Sequence, residues 1–382
     1  MLPPRLERTV RSRYRPRMRR RSIQFFVLAL CCSARAVSAQ VTPAAGYTPP
    51  DDTPSIRVGA VIFADYSFTQ SPTTVDTDGN VIHANAFNVA RSYINITGNI
   101  SHLVAFRVTP DVVRENNIAS ATNGSLVFRI KYAYAQFNLD DWMTKGSYAR
   151  FGIQQTPWLD FAEGIYRYRF QGTMFAEREG YFASADAGAS FHYQLPSAYG
   201  DIHVGVYNGE NYNRAEPNDQ KSVQVRATVR PFARGRMVLR GIRATAFYDA
   251  DSYVKNAPRN RLIGGLTFEH KYINAGLEYL DTKDQTSALR ASEIDGRGYS
   301  VWATPRSPIG LEALLRYDHL TPNTAFDTQV RNRTIVGVAY WFPHEGTVSS
   351  AMMIDYDRQT FDRFTPALPQ QSKVAIHGLI SF

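Results

Sequence analysis

Residues 373–382, KVAIHGLISF, decide the fold class of this chain. Their apolar residues recur at every second position, the period with which side chains of a β-strand point to one face: Val374, Ile376, Gly378, Ile380 and Phe382. An exposed apolar edge strand promotes aggregation, so this strand needs a neighbouring strand and an apolar medium. A closed barrel in a lipid bilayer provides both. Alternation alone also fits a strand of an ordinary β-sandwich.

The first 39 residues have the layout of a secretory signal peptide. An arginine-rich run is followed by an apolar run at residues 23–32 and by small residues before Gln40. Of the 43 basic and 34 acidic residues of the chain, ten and one lie in this leader, which leaves 33 of each in the remainder. The formal charge of +9 therefore does not indicate a nucleic-acid partner. We predict a cleaved signal peptide at residues 1–39, with Met18 as an alternative start.

Both cysteines, Cys31 and Cys32, lie in this leader. The predicted mature chain therefore has no disulfide and no thiolate metal site. The eight histidines are scattered singly, and neither an HExxH nor a GxSxG motif occurs. We expect no catalytic residue, no metal and no cofactor, and we predict that the protein is not an enzyme.

The rest of the chain repeats the alternating pattern. Residues 40–54, rich in Pro, Ala and Thr, are predicted to be a flexible lead-in, and residues 55–382 contain about sixteen alternating segments, an even number in the range of bacterial outer-membrane barrels. Short links alternate with longer polar ones, as in barrels whose long loops face outside the cell. We predict an all-β, transmembrane, antiparallel up-and-down β-barrel. Aromatic residues near strand ends, among them Tyr132 and Tyr134, are expected to face the lipid as girdles.

The residues opposite the apolar stripes are expected to line the lumen. The basic ones form the predicted pore wall: Arg91, Arg107, Arg129, Lys131, Arg150, Arg226, Arg230, Arg243 and Arg316. The acidic ones gather in the later strands. Because sixteen strands enclose a lumen too wide for side chains to fill, we expect a water-filled channel whose charges select among ions. The alternative is that these charges pair and rigidify the wall.

The link at residues 157–184 is longer and more aromatic than the others. Long loops in compact architectures are usually functional. We predict that it folds into the barrel as a constriction loop, because its aromatic side chains need a surface to pack on. A flap over the barrel mouth is the alternative. The charged candidates in this loop are Arg167, Arg169, Arg178, Glu163, Glu177 and Glu179.

Several segments occur in an order that resembles one family. They are FNVARSYINITGNI, FGIQQTPW, the long loop closing on ADAGASFHY, VYNGENYN, KSVQVRATVRPF, LEALLRYDHLTPN and the terminal phenylalanine. Together they resemble the phosphate-selective porin O/P-like family of outer-membrane porins. The resemblance implies a sixteen-stranded homotrimer whose third loop enters the pore. It also implies that Phe382 is the signal read by the barrel assembly machinery.

In the selective members of that family, arginines of the constriction and wall guide phosphate-type anions. The resemblance assigns this role here to Arg167, Arg169 and Arg178, helped by Arg129, Lys131, Arg150 and Arg226. The loop glutamates depart from a strongly cationic constriction.

The sequence thus predicts a porin in the bacterial outer membrane, in contact with its lipid. The predicted channel passes small hydrophilic solutes by passive diffusion, including anions such as phosphate. A general non-selective or carbohydrate-type porin is the main alternative. A barrel adhesin or a barrel enzyme is a more remote one.

Overall fold

The computed structural model describes residues 52–236, 238–344, 346 and 348–382. The predicted signal peptide and most of the predicted lead-in lie outside the described residues. Sixteen long strands, β1 to β16 in chain order, make up most of the described chain: Ser55–Ser71, Asn85–Asn99, Val104–Arg114, Leu126–Asn138, Tyr148–Gln155, Ala185–Gln194, Gly200–Tyr207, Ser222–Val229, Ile242–Ala250, Ala257–His270, Ile273–Asp284, Ile294–Pro305, Leu311–Thr321, Val330–Phe342, Ser349–Asp362 and Gln371–Ser381.

Each long strand pairs antiparallel with the next, and the last pairs with the first. Between β1 and β16 the register runs from Val61 opposite Ser381 to Thr69 opposite Lys373. The Phe382 amide donates to the carbonyl of Ala60 at 3.0 Å, and the Ala60 amide donates to the carbonyl of Phe382 at 3.0 Å. The predicted all-β antiparallel barrel, closed by the C-terminal strand, is therefore confirmed, because no barrel strand is left as a free edge.

The two faces of the barrel differ as the alternation predicts. On β16, Ile376 and Ile380 are 43% and 51% exposed on the outer face, whereas His377 and Leu379 are almost completely buried on the inner face. Apolar side chains directed outward and polar ones directed inward are the pattern of a transmembrane barrel. Among the described residues, no helix is long and apolar enough to cross a membrane.

One bulge reverses the predicted faces within β4. The register skips a residue opposite Pro110, which leaves Lys131 between the paired Ile130 and Tyr132. A proline cannot donate to the ladder, and one extra residue turns every later side chain to the other face. Lys131 and Tyr132 are both buried on the inner side. The prediction that Tyr132 and Tyr134 face the lipid is therefore wrong.

The connections differ between the two ends of the barrel. One end, here the short-turn end, has links such as 100–103, 271–272 and 306–310. The other, here the long-loop end, includes 72–84 and 156–184. Small elements lie in or beside these links: strands Thr74–Val75, Val81–Ile82 and Ser252–Val254, helices α1 (Pro157–Ile165) and α2 (Phe175–Arg178), and 3-10 turns Pro196–Ala198, Leu239–Gly241 and Thr324–Phe326.

Candidate functional site

The connection between β5 and β6, residues 156–184, lies against the inner wall, and we call it the inward loop. Its helix α1 begins with a proline in the first turn, where no intrahelical donor is lost, and both helices were missed by the sequence prediction. The loop aromatics are buried against aromatics that the strands point inward. The ring pairs, with centroid separations, are Trp158 with Phe247 at 6.2 Å, Tyr166 with Trp302 at 5.2 Å and Tyr168 with Trp341 at 5.9 Å.

Polar contacts attach the same loop to the later strands. Arg167 donates to Glu312 at 2.9 Å, and the Tyr168 hydroxyl donates to the other oxygen of that carboxylate at 3.0 Å. Gln171 donates to Asp355 at 2.7 Å. The inward-facing acids of β13 and β15 thus hold the loop, since buried carboxylates require such donors.

The other predicted loop charges pair among themselves or with the wall. Arg169 lies 2.6 Å from Glu163 and 3.0 Å from Glu177. Arg178 lies 3.8 Å from Asp357, and Glu179 accepts from Arg331 at 2.9 Å. The arginines Arg167, Arg169 and Arg178 are all largely buried. The three arginines predicted to lie in the constriction therefore form ion pairs within the loop or between the loop and the wall.

Three predicted wall cations, on β2, β3 and β4, donate only to neutral groups. Arg91 and Lys131 donate to the Tyr93 hydroxyl at 3.3 and 3.1 Å, and Arg107 donates to the Asn95 side-chain oxygen at 2.8 Å. Among the described residues, no carboxylate oxygen lies within 4.0 Å of these three cations. They form a cationic patch, defined as Arg91, Arg107 and Lys131.

The remaining predicted wall cations have anionic partners, with one exception. The pairs are Arg129 with Asp111 at 3.0 Å, Arg150 with Asp160 at 3.6 Å, Arg226 with Asp201, Arg243 with Glu269 at 2.5 Å and Arg316 with Asp318 at 2.7 Å. The exception is Arg230, which follows the end of β8 and donates to the carbonyl of Arg240 at 3.1 Å. Arg230 lies one residue beyond the end of the strand, where its amide donates to the carbonyl of Tyr199 at 2.7 Å, and its place on the pore wall stays a prediction.

Sequence reasoning missed four arginines that form ion pairs at the long-loop end. They are Arg259, Arg261, Arg331 and Arg333, each bonded to a carboxylate. The spacing of these arginines indicates them: Arg259 and Arg261 are two residues apart near the start of β10, and Arg331 and Arg333 are two residues apart near the start of β14. Residues two apart on a strand share one face.

No protein-family model matches the sequence, and no curated protein matches it. Solved structures do match the barrel. The anion-selective porin from Comamonas acidovorans has a TM-score of 0.59 at 11% identity, covering 86% of this chain and 100% of that one. The channel DcaP of Acinetobacter baumannii has a TM-score of 0.56 at 12% identity, covering 89% and 100%. The trimer form of OmpT of Vibrio cholerae has a TM-score of 0.52 at 11% identity, covering 87% and 100%.

The chain has the fold of the outer-membrane porins. Within this porin fold the inner wall is electrostatically uneven. Side chains of the inward loop form hydrogen bonds or ion pairs with three acids of β13 and β15, namely Glu312, Asp355 and Asp357. The cations of the cationic patch on β2 to β4 form no ion pair among the described residues, although Glu177 of the inward loop lies near enough to interact electrostatically with Arg91 and Lys131. The acids of these later strands thus contact the inward loop, whereas the cationic patch of the early strands donates to neutral groups of the wall.

Proposed function

We propose that this protein is an outer-membrane channel for passive diffusion of small hydrophilic solutes. The observation that carries the proposal is the closed barrel with an apolar outer face, a charged inner face and a loop packed on the inner wall. In such a barrel, the loop narrows the lumen and the charges beside it set the preference among ions. Export through the predicted signal peptide, insertion by the barrel assembly machinery and assembly as a homotrimer belong to the same proposal.

The proposed channel prefers anions. Support comes from the cationic patch, whose charges remain uncompensated by carboxylates within ion-pair distance among the described residues. The loop residues Arg167, Arg169 and Arg178 contribute to the proposed constriction by fixing the loop, since their guanidinium groups already have acidic partners. Phosphate is one candidate solute, and a general pore is the alternative within the same fold.

A planar-bilayer recording tests the channel. Purified, refolded protein is expected to give stepwise, ohmic conductance, and a folded barrel that gives no conductance contradicts the proposal. Under a KCl gradient, the sign of the reversal potential reports whether chloride or potassium passes more readily. Inhibition of the chloride current by low phosphate concentrations supports a phosphate channel, whereas anion preference without inhibition indicates a general anion pore.

A further inference from the structure

A polar cavity lies on the inner wall at the long-loop end, where β14, β15, β16 and β1 adjoin. Its volume is about 200 Å³. A cavity needs only about 10–15 Å³ to hold one water, so this space can hold a molecule larger than a single water or ion. We call it the mouth cavity. Its lining includes Thr69, Arg333, Asp357, Gln359 and Lys373.

The charges around the mouth cavity do not balance. Lys373 on β16 lies directly opposite Asp357 on β15 in the register. That carboxylate, however, already has Arg333 at 3.2 Å and Arg178 of the inward loop at 3.8 Å. Among the described residues, Lys373 makes no hydrogen bond and no ion pair. The lining of the cavity has two cations, Arg333 and Lys373, and one carboxylate, Asp357, which leaves the ammonium group of Lys373 able to bind an additional anion.

Uncharged donors and acceptors also remain unused in this cavity. Thr69 lies opposite Lys373 on the other side of β16, and Gln359 lies opposite Arg333. The Thr69 hydroxyl and the Gln359 amide make no side-chain hydrogen bond within the part of the chain that the structure describes. Both groups donate as well as accept, which suits the hydroxyl groups of a ligand.

We propose that the mouth cavity binds a small polyhydroxylated carboxylate, such as a sugar acid, before it passes the inward loop. Lys373 holds the carboxylate, while Thr69 and Gln359 hydrogen-bond the hydroxyls. The proposal deepens the proposed channel function by naming a solute class, and it assigns the site to the wall at the mouth instead of the loop arginines.

Isothermal titration calorimetry of the folded protein in detergent tests this site, with sodium gluconate as the probe. Gluconate is expected to bind more tightly than either acetate or glucose, because only gluconate carries both the charge and the hydroxyls. Lys373→Gln is expected to weaken gluconate binding about tenfold, as expected for loss of a charged hydrogen bond. Thr69→Val is expected to weaken gluconate binding and leave acetate binding unchanged.

Lys283→Gln is the matched control. Lys283 also lies at the long-loop end, but it is paired with Glu293 at 2.6 Å and lies outside the cavity lining. Its substitution is expected to leave gluconate binding unchanged. Equal binding of gluconate and acetate, or unchanged gluconate binding in Lys373→Gln, overturns the proposal. Conductance is measured on the same preparations, so a conducting protein that does not bind gluconate refutes the site alone, and a non-conducting folded barrel refutes the channel.

Discussion

Arg167 of the inward loop donates to Glu312 of β13 at 2.9 Å, and the two side chains are only 8% and 5% exposed. These residues are 145 positions apart in the chain. Removing one partner of a buried ion pair leaves the other charge without compensation. The pair therefore fixes the loop on the wall.

Arg167→Ala is expected to release this part of the loop. The free energy of unfolding should fall by about 3 kcal/mol, the lower end for a broken buried pair, because Arg306 remains 3.8 Å from Glu312. Single-channel recordings should show larger current fluctuations, since the loop is held less firmly. Lys283→Ala is the control, because it removes an exposed ion pair. Equal stability and current noise in the two variants would count against an anchoring role for Arg167.

Gly59→Ala is expected to impair barrel closure. A methyl group at this position would lie 2.5 Å from the carbonyl oxygen of Phe382, a distance too short for a real contact. Gly378→Ala is the matched control at the same seam, because the nearest atom, the carbonyl oxygen of Ala64, would be 3.8 Å away. The folded fraction, read from heat-dependent electrophoretic mobility, should fall for Gly59→Ala alone. Similar folded fractions would show that the seam accommodates the methyl group.

Deletion of Phe382 is expected to lower the amount of inserted barrel without changing the conductance of molecules that insert. The deletion removes both backbone hydrogen bonds to Ala60 and the aromatic ring. Phe382→Ala keeps the backbone bonds and removes only the ring, so it separates closure from recognition by the assembly machinery. If the ring is the assembly signal, both variants should insert poorly in cells, whereas Phe382→Ala should refold normally in detergent. Normal insertion of both variants in cells would refute the assembly role.

A histidine at the short-turn end provides a pH-dependent contact. Hydrogen bonds to Asp52 at 2.6 Å and Asp141 at 3.0 Å raise the pKa of His102 above its usual 6.5. The same contact lowers the pKa of Asp52 below 3.8. Because the pKa of His102 is raised in the folded protein, the charged histidine contributes its full stabilisation below pH 6.5. That contribution is lost as the pH rises through the pKa of His102 in the folded state. Because the pKa of Asp52 is lowered in the folded protein, the charged carboxylate contributes its full stabilisation above pH 3.8. That contribution is lost as the pH falls through the pKa of Asp52 in the folded state.

The contact of His102 is therefore strongest between these two values. An NMR titration of the histidine ring should give a pKa above 6.5, and Asp52→Asn should bring it down. An unchanged histidine pKa in Asp52→Asn would show that this carboxylate does not hold the ring.

The cationic patch is expected to set the ionic preference. Replacing both Arg91 and Lys131 with glutamine should shift the reversal potential under a KCl gradient towards cation permeation, because two positive charges that form no ion pair among the described residues are removed from the wall. Arg297→Gln is the control, since Arg297 is exposed and paired with Asp281 at 3.0 Å. A reversal potential that is the same in all three proteins would place the selectivity elsewhere.

Much of the fold was predictable because strand alternation is local. The apolar residues of β16, from Val374 to Ile380, specify one outer face wherever the strand lies. Closure against β1 follows, since an apolar terminal strand cannot remain unpaired in a membrane. The prediction failed at the bulge opposite Pro110, because one extra residue turns the later side chains of that strand to the other face.

The sequence by itself determined the alternation, the approximate number of strands and many of the charges that lie on the inner face. It did not determine the partners of those charges. Only the tertiary structure joined Arg167 to Glu312 and Arg178 to Asp357 while leaving Lys373 without a partner among the described residues. The physical reason is that β-periodicity acts between neighbours along one strand, whereas a loop–wall ion pair depends on where a distant segment packs inside the closed barrel.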